Sequence, residues 1–199
     1  MIYPKMKKFV VGITGASGFV YGKRLVEELS KNNFVHLIVS EAAYVVMEKE
    51  EGIKKTQFLE SLNSNVEVIS NKNIAASVSS GSYLTKTEGV IIAPCSMDTL
   101  SAVANGISTN LIQRVCDVAL KERKKLVLLV REMPFSLVHI ENMRKVTLAG
   151  GIVASASPGF YHKPKTVDDM INFVVGKVLD IFQVEHNLYK RWSGGDETV

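Results

Sequence analysis

Gly12, Gly15 and Gly18 recur at every third position within residues 9–25, FVVGITGASGFVYGKRL, where an apolar run breaks and a helical pattern begins. Glycines in such a turn let the backbone approach a ligand closely, and free amides at the start of the next helix favour an anion. Thr14 and Ser17 add hydroxyl donors suited to phosphate. The spacing alone does not separate a dinucleotide from a mononucleotide, or either from a tight turn with no ligand.

Other residues offer chemistry of different kinds. Tyr161 and Lys165 have the spacing of the tyrosine–lysine pair of short-chain nicotinamide reductases, with Glu41 available as a ribose acid. That pair needs a helix to bring both onto one face, and the stretch YHKPK contains Pro164 and follows Pro158 and Gly159. Asp168 and Asp169 form a carboxylate pair of the sort that holds Mg²⁺ against a pyrophosphate, but Asn172 stands where a third aspartate would be needed. Thr166 to Asp169 fits a helix-start capping box better, with Asp in place of Glu. Arg114 and Lys121, seven apart on a helical pattern, read as solvated cations. Lys177 has the same reading, and Tyr161 alone reads as a core tyrosine. Glu132, beside Arg131 at a strand end, suits proton transfer and an ion pair with that arginine equally well.

The elements that must position these residues follow from hydropathy. Short apolar runs at 9–13, 35–39, 66–69, 90–93 and 126–130 alternate with helical patterns, clearest at 21–30, 42–50 and 111–122. Continuous apolar strands alternating with helices indicate an α/β fold whose parallel sheet is covered on both faces. In an open sheet of this kind, ligands sit beyond the carboxyl ends of the strands. The segments to watch are therefore 14–17, 40–41, 94–99 and 131–132.

Composition bounds the rest. The 199 residues suit one domain, and 46% hydrophobic with 22% charged residues is ordinary for a soluble globular chain. The net charge of +4 is scattered, which argues against nucleic-acid binding and allows a small anionic ligand. Cys95 and Cys116 lack metal-ligand spacing and read as reduced thiols. No apolar run approaches a signal core or a membrane span, so a cytoplasmic protein is expected.

An ordered set of segments spans almost the whole chain: GITGASG, Ser40 after the second strand, SSGSY (79–83), APCSMDTLSAVANG, NLIQRVCDVALKER, LVREMPF, HIENM, PGFYHKP and GKVLD. In this set the sequence resembles the UbiX family of flavin prenyltransferases, relatives of the flavin-dependent cysteine decarboxylases. The resemblance implies a Rossmann-like open sheet in a flavodoxin-like three-layer sandwich. One flavin-binding domain would span 1–192, with a C-terminal arm at 188–192 packing on a neighbour; the polar, glycine-rich end at 193–199 reads from its composition as a mobile tail. It implies transfer of a dimethylallyl group from dimethylallyl monophosphate to N5 and C6 of reduced FMN. The product would serve a UbiD-type decarboxylase, and the enzyme would be a homo-oligomer, often a dodecamer.

By the same resemblance FMN would be held by Gly15, Ala16, Ser17, Ser40, Ser96, Met97, Asp98, Thr99 and Arg131. Tyr161 and Lys177, with Arg114 and Lys121 nearby, would hold the prenyl phosphate. Preorganised cations and hydroxyls there would stabilise the charge left on phosphate when the allylic C–O bond breaks, without an obligatory Mg²⁺ pair. Glu132, and after it Glu50, would move the protons that ring closure requires. Two positions depart from the family's pattern: Asn73 falls where some members carry an aromatic, and Lys177 stands where an arginine also occurs. The decarboxylating relatives use a histidine ahead of the PxSxNT motif and an asparagine within it. Here no histidine lies between His36 and His139, and Asp98 at the asparagine position would repel a substrate carboxylate. A non-catalytic FMN-storage protein is the remaining alternative; it leaves Arg114, Lys121, Tyr161 and Lys177 without a use.

Overall fold

The structure is a computed structural model, and it describes residues 6–192. The expected tail at 193–199 lies outside the described residues. Six strands form one parallel sheet: β1 (Lys8–Ile13), β2 (Phe34–Val39), β3 (Val66–Ser70), β4 (Gly89–Cys95), β5 (Leu126–Val130) and β6 (Ile152–Ser155). Their order is β3-β2-β1-β4-β5-β6. The helices are α1 (Phe19–Leu29), α2 (Glu41–Glu51), α3 (Lys55–Glu60), α4 (Gly81–Leu84), α5 (Met97–Ala104), α6 (Leu111–Lys121), α7 (Leu137–Leu148) and α8 (Val167–Ile181). No helix among the described residues is long and apolar enough to cross a membrane.

Strand alternation explains the three layers. Phe9, Val11 and Ile13 of β1 point to one face and pack with Ile91, Val127 and Leu129 under α1, α2 and α8. Val10, Val90, Ile92, Leu126 and Leu128 point to the other face and pack under α5 and α6. Both faces are covered, so the central strands need apolar residues at every position, and β4 is buried along its whole length.

The five expected strands and three expected helices are present within a residue or two of their anticipated ends. β6 is not among the expected strands; it is only four residues long, half-buried, and at the sheet edge, so its apolar signal is short. α7 is likewise not among the expected helices, because its Leu137, Val138, Ile140 and Leu148 are exposed and leave no clean apolar stripe. The expected arm lies against its own chain: Leu188 and Tyr189 pack on the core beside α8.

Close packing of α1 on the sheet depends on Gly22. A Cβ there would lie 2.2 Å from the Ala93 carbonyl oxygen and 2.8 Å from Ile13 Cδ1. The first neighbour is backbone and cannot turn away. Gly22→Ala is expected to destabilise the fold by about 2–3 kcal/mol, read as a lowered urea midpoint with an unchanged m-value.

Candidate functional site

The sheet's winding reverses beside β1, because β1 lies between β2 and β4. The carboxyl ends of β1 and β4 diverge there, and the crevice between them is the natural ligand site of an open sheet. Thr14 closes its floor. The buried Thr14 hydroxyl donates to the Pro94 carbonyl at 2.8 Å and accepts the Ser96 amide at 2.7 Å. The Thr14 amide also donates to the Pro94 carbonyl, at 3.2 Å.

Above this floor is a cleft of about 260 Å³, lined by Thr14, Gly15, Ser40, Asn71, Ser96, Asp98, Thr99 and Asn110 among others. Three helices begin around it. Ser40 caps α2 by accepting the Ala43 amide, Ser96 caps α5 by accepting the Thr99 amide, and Asn110 caps α6 by accepting the Gln113 amide. Their N-termini add partial positive charge to a cleft whose side chains are mostly neutral. The amides of Gly15, Ala16 and Ser17 take no hydrogen-bond partner among the described residues. Gly15 must lack a side chain, since a Cβ would lie 2.6 Å from the Ala42 Cβ. Free amides in a close-packed turn, ringed by hydroxyls and helix N-termini, make a phosphate cradle.

The glycine turn also gathers charge. Arg131, following β5, reaches across and donates from Nε to the Ser17 carbonyl at 3.2 Å. Its guanidinium also faces Tyr21, whose hydroxyl is pushed up by burial and drawn part of the way back by Arg131. Glu50 at the end of α2 accepts the Gly18 amide at 2.9 Å. Gly18, the N-cap of α1, takes φ +96°, which suits a residue without a Cβ. Glu132 accepts the amide of Met133 at 3.1 Å, and no ion pair joins it to Arg131 among the described residues. Arg131, Glu50 and the cradle thus meet at one turn.

Tyr161 and Lys177 stand on a second feature. Lys177 lines a cavity of about 480 Å³ with Leu129, Ser155, Ser157, Phe173 and Asp180, at the carboxyl ends of β5 and β6. Tyr161 lies edge-on to Phe173, with ring centroids 5.5 Å apart. Phe173 therefore joins the two residues. Arg114 pairs with Asp117 at 2.9 Å, one turn along α6. Lys121 contacts Glu122 at the far end of α6, about 14 Å of helix rise beyond Ile112, which lines the cleft. One chain does not bring Lys121 to its own cleft.

The competing motifs take structural roles. Residues 161–165 form a turn ahead of α8, so Tyr161 and Lys165 share no helix face. Glu41 pairs with Lys55. Asp169 completes the capping box with Thr166, and backbone hydrogen bonds from Lys165 and Thr166 hold its carboxyl below the ordinary range. Both cysteines are buried, and burial pushes their thiols up. Asn71 and Asn110 were not anticipated in the cleft. Asn71 accepts the Ile112 amide at 3.0 Å and ties α6 to the end of β3. Their only sequence signal is an asparagine directly after a strand and another directly before a helix.

The Flavoprotein family profile matches residues 3–179. The flavin prenyltransferase UbiX of Aquifex aeolicus is 51% identical over 190 residues, covering 95% of this chain and all of the relative. The fold superimposes with TM-score 0.90 on AnUbiX (PadA1), solved with FMN and dimethylallyl pyrophosphate, at 36% identity over 96% of this chain and all of that one. It superimposes with TM-score 0.87 on a dodecameric FMN-dependent UbiX-like decarboxylase from Escherichia coli O157:H7, at 39% identity over 94% of this chain and all of that one.

The Thr14 lock carries the prediction that follows from this geometry. Thr14→Val keeps the shape but leaves the Pro94 carbonyl and the Ser96 amide each one partner short. A loss of about 2 kcal/mol is expected, read by thermal melting against Thr14→Ser, which should keep most of the stability.

Proposed function

The chain belongs to the UbiX flavin prenyltransferases of the Flavoprotein family, and from that premise we propose how its own residues divide the reaction. It joins a dimethylallyl group from dimethylallyl monophosphate to N5 and C6 of reduced FMN, releasing phosphate and yielding prenylated FMN. The observation that supports this reading is the amide cradle together with a separate cavity lined by Lys177 and by Phe173, the ring partner of Tyr161, which we read as two anion sites in one chain. The first is the amide cradle at the switch point; the second is Tyr161 and Lys177, joined by Phe173. A flavin-storage protein has a use for the first alone.

The cleft fits FMN in chemistry. Gly15, Ala16 and Ser17 hold the phosphate through backbone amides, with hydroxyls from Ser40, Ser96 and Thr99 beside them and Met97 and Asp98 in the first turn of α5. Arg131 closes the turn across the sheet and presents a cation to the bound flavin. Reduced FMN supplies the two nucleophilic atoms of the reaction. Tyr161 and Lys177 bind the prenyl phosphate and stabilise the charge that gathers on it as the C–O bond breaks. A lysine serves that role as a point charge, without the paired geometry of arginine.

Glu132 is free of any cation partner among the described residues, which favours proton transfer over ion pairing for this carboxylate. It takes the proton lost at C6. Glu50 is the secondary candidate, with its carboxylate engaged by the Gly18 amide. Arg114 and Lys121 serve the prenyl phosphate in an assembly of many subunits, a dodecamer like that of the UbiX-like protein from Escherichia coli. The position of Lys121 supports this, since its own chain leaves it far along α6 from the cleft. The reading includes a cytoplasmic setting and delivery of the product to a UbiD-type decarboxylase. Asp98 on the cleft wall opposes a decarboxylase reading, because it would repel a substrate carboxylate.

The test is anaerobic incubation of the protein with reduced FMN and dimethylallyl monophosphate, followed by mass spectrometry of the extracted flavin. A five-carbon addition that requires the protein is expected. Glu132→Gln should retain FMN and slow turnover about 100-fold or more. Bound but unmodified FMN in the wild type would leave the storage reading standing.

A further inference from the structure

We propose that the C-terminal segment 183–192 is a latch that positions Tyr161, fastened by Tyr189, His186 and Arg191 on the carboxylate of Asp180. The inference rests on the assignment of Tyr161 and Lys177 to the prenyl phosphate.

Asp180 stands in the last turn of α8, one turn after Lys177 on the same face, and both line the cavity of about 480 Å³. Three donors from the following segment converge on it. The Tyr189 hydroxyl donates at 2.5 Å, Arg191 Nη2 lies at 2.6 Å, and His186 Nε2 at 3.1 Å. Burial pushes the Asp180 carboxyl upward, but the hydrogen bonds from Arg191, Tyr189 and His186 outweigh it and hold the group below its ordinary value. The Tyr189 hydroxyl is pushed well up, first by burial and then by its bond to Asp180. The carboxylate is therefore charged and fully engaged at neutral pH. Its contribution is present above the ordinary carboxylate range and is lost as pH falls through its own lowered value.

The segment lies flat on α8 because Gly176 leaves room. A Cβ there would be 2.6 Å from the Tyr189 ring and 2.7 Å from the His186 ring. From that position Tyr189 packs on Phe173, with centroids 4.9 Å apart, and Trp192 meets Tyr161 edge-on at 5.9 Å. His162 stacks on Phe173 at 5.0 Å with planes 7° apart, yet neither of its buried ring nitrogens has a hydrogen-bond partner among the described residues. The Tyr161 hydroxyl also makes no hydrogen bond among the described residues. Ring contacts therefore carry most of the load at this turn, supported by one backbone bond from the Lys163 amide to the Phe160 carbonyl. Tyr161 is held between Phe173 and Trp192, and Trp192 immediately follows Arg191. Whatever loosens Asp180 removes one wall of the Tyr161 pocket and leaves the cradle at Gly15 untouched.

Trp192 is the only tryptophan in the chain, so its fluorescence reports the latch directly. Tyr189→Phe and Asp180→Asn are compared with wild type in the full-length, FMN-bound protein. Three quantities are measured: acrylamide quenching of Trp192, melting temperature, and steady-state kinetics with dimethylallyl monophosphate. The expected result is stronger quenching in both variants and an apparent KM for the prenyl phosphate raised about tenfold, the loss of one hydrogen bond to a charged group. The value of kcat should stay within about twofold, and FMN affinity should not change. A segment that merely covers the core would lower the melting temperature and loosen Trp192 with KM unmoved, and that result overturns the latch. Unchanged quenching in both variants overturns it as well. Tyr189→Phe keeps every ring contact and decides the matter if Asp180→Asn does not fold. A wild-type protein that transfers no prenyl group fails the assignment of the site itself; active wild type with unmoved variants fails the latch alone.

Discussion

One buried hydroxyl sits at the centre of this architecture. Thr14 donates to the Pro94 carbonyl and accepts the Ser96 amide, across the point where the sheet changes winding direction. The chain leaves β1 and β4 toward opposite halves of the sheet, and without the hydroxyl the Ser96 amide would lose its partner and the Pro94 carbonyl would keep only the Thr14 amide. A threonine meets that need because a hydroxyl both donates and accepts. With the two strand ends locked, the glycine turn and the start of α5 are fixed relative to each other, and the cleft acquires its shape.

From that lock outward, the site is built chiefly from neutral groups. Free amides, serine hydroxyls and the N-termini of α2, α5 and α6 supply the attraction, with Arg131 as the cation at the turn. Such an arrangement holds a phosphate without the strong desolvation cost of burying several full charges. The proposed prenyl-phosphate site is organised differently. It relies on Lys177 and Tyr161 over an aromatic cluster, beside an engaged carboxylate. The first site is rigid through backbone hydrogen bonds; the second is rigid through ring packing and the fold-back of the C-terminal segment. This difference in construction suits a bound flavin on one side and an exchanging prenyl phosphate on the other.

Much of the cradle was legible before any coordinates. Gly15, Ser40, Ser96 and Arg131 all follow apolar runs, and a parallel sheet places the ends of such runs together. The capping box at Thr166 was readable for the same local reason, as was the failure of Tyr161 and Lys165 to share a helix. Asn71 and Asn110 were not readable as cleft residues, because an asparagine beside an element boundary is common. The partner of Asn71 at Ile112 lies 41 residues away, and the local bond of Asn110 to the Gln113 amide does not say which cleft it lines. β6 escaped because an edge strand of four half-buried residues carries little hydropathic signal. The arm at 188–192 was seen as a segment, but its seat on α8 was not, since that depends on Gly176 lacking a side chain.

Local sequence, then, determined the period of each element, the glycine turn, the caps and the family resemblance, because all of these are written in neighbouring residues or in their order along the chain. Only the tertiary structure decided which residues share a site. It brought Arg131 and Glu50 to one glycine turn, set the Tyr161 ring against Phe173 beside the cavity that Lys177 lines, and left Lys121 far along α6. It also folded three donors back onto Asp180. The pairings at the glycine turn span 32 and 114 residues and are set by which faces of the sheet each helix covers. Those on Asp180 span 6 to 11 residues and depend on the chain turning back over α8. A linear pattern does not encode them, because burial and close approach are properties of the packed layers.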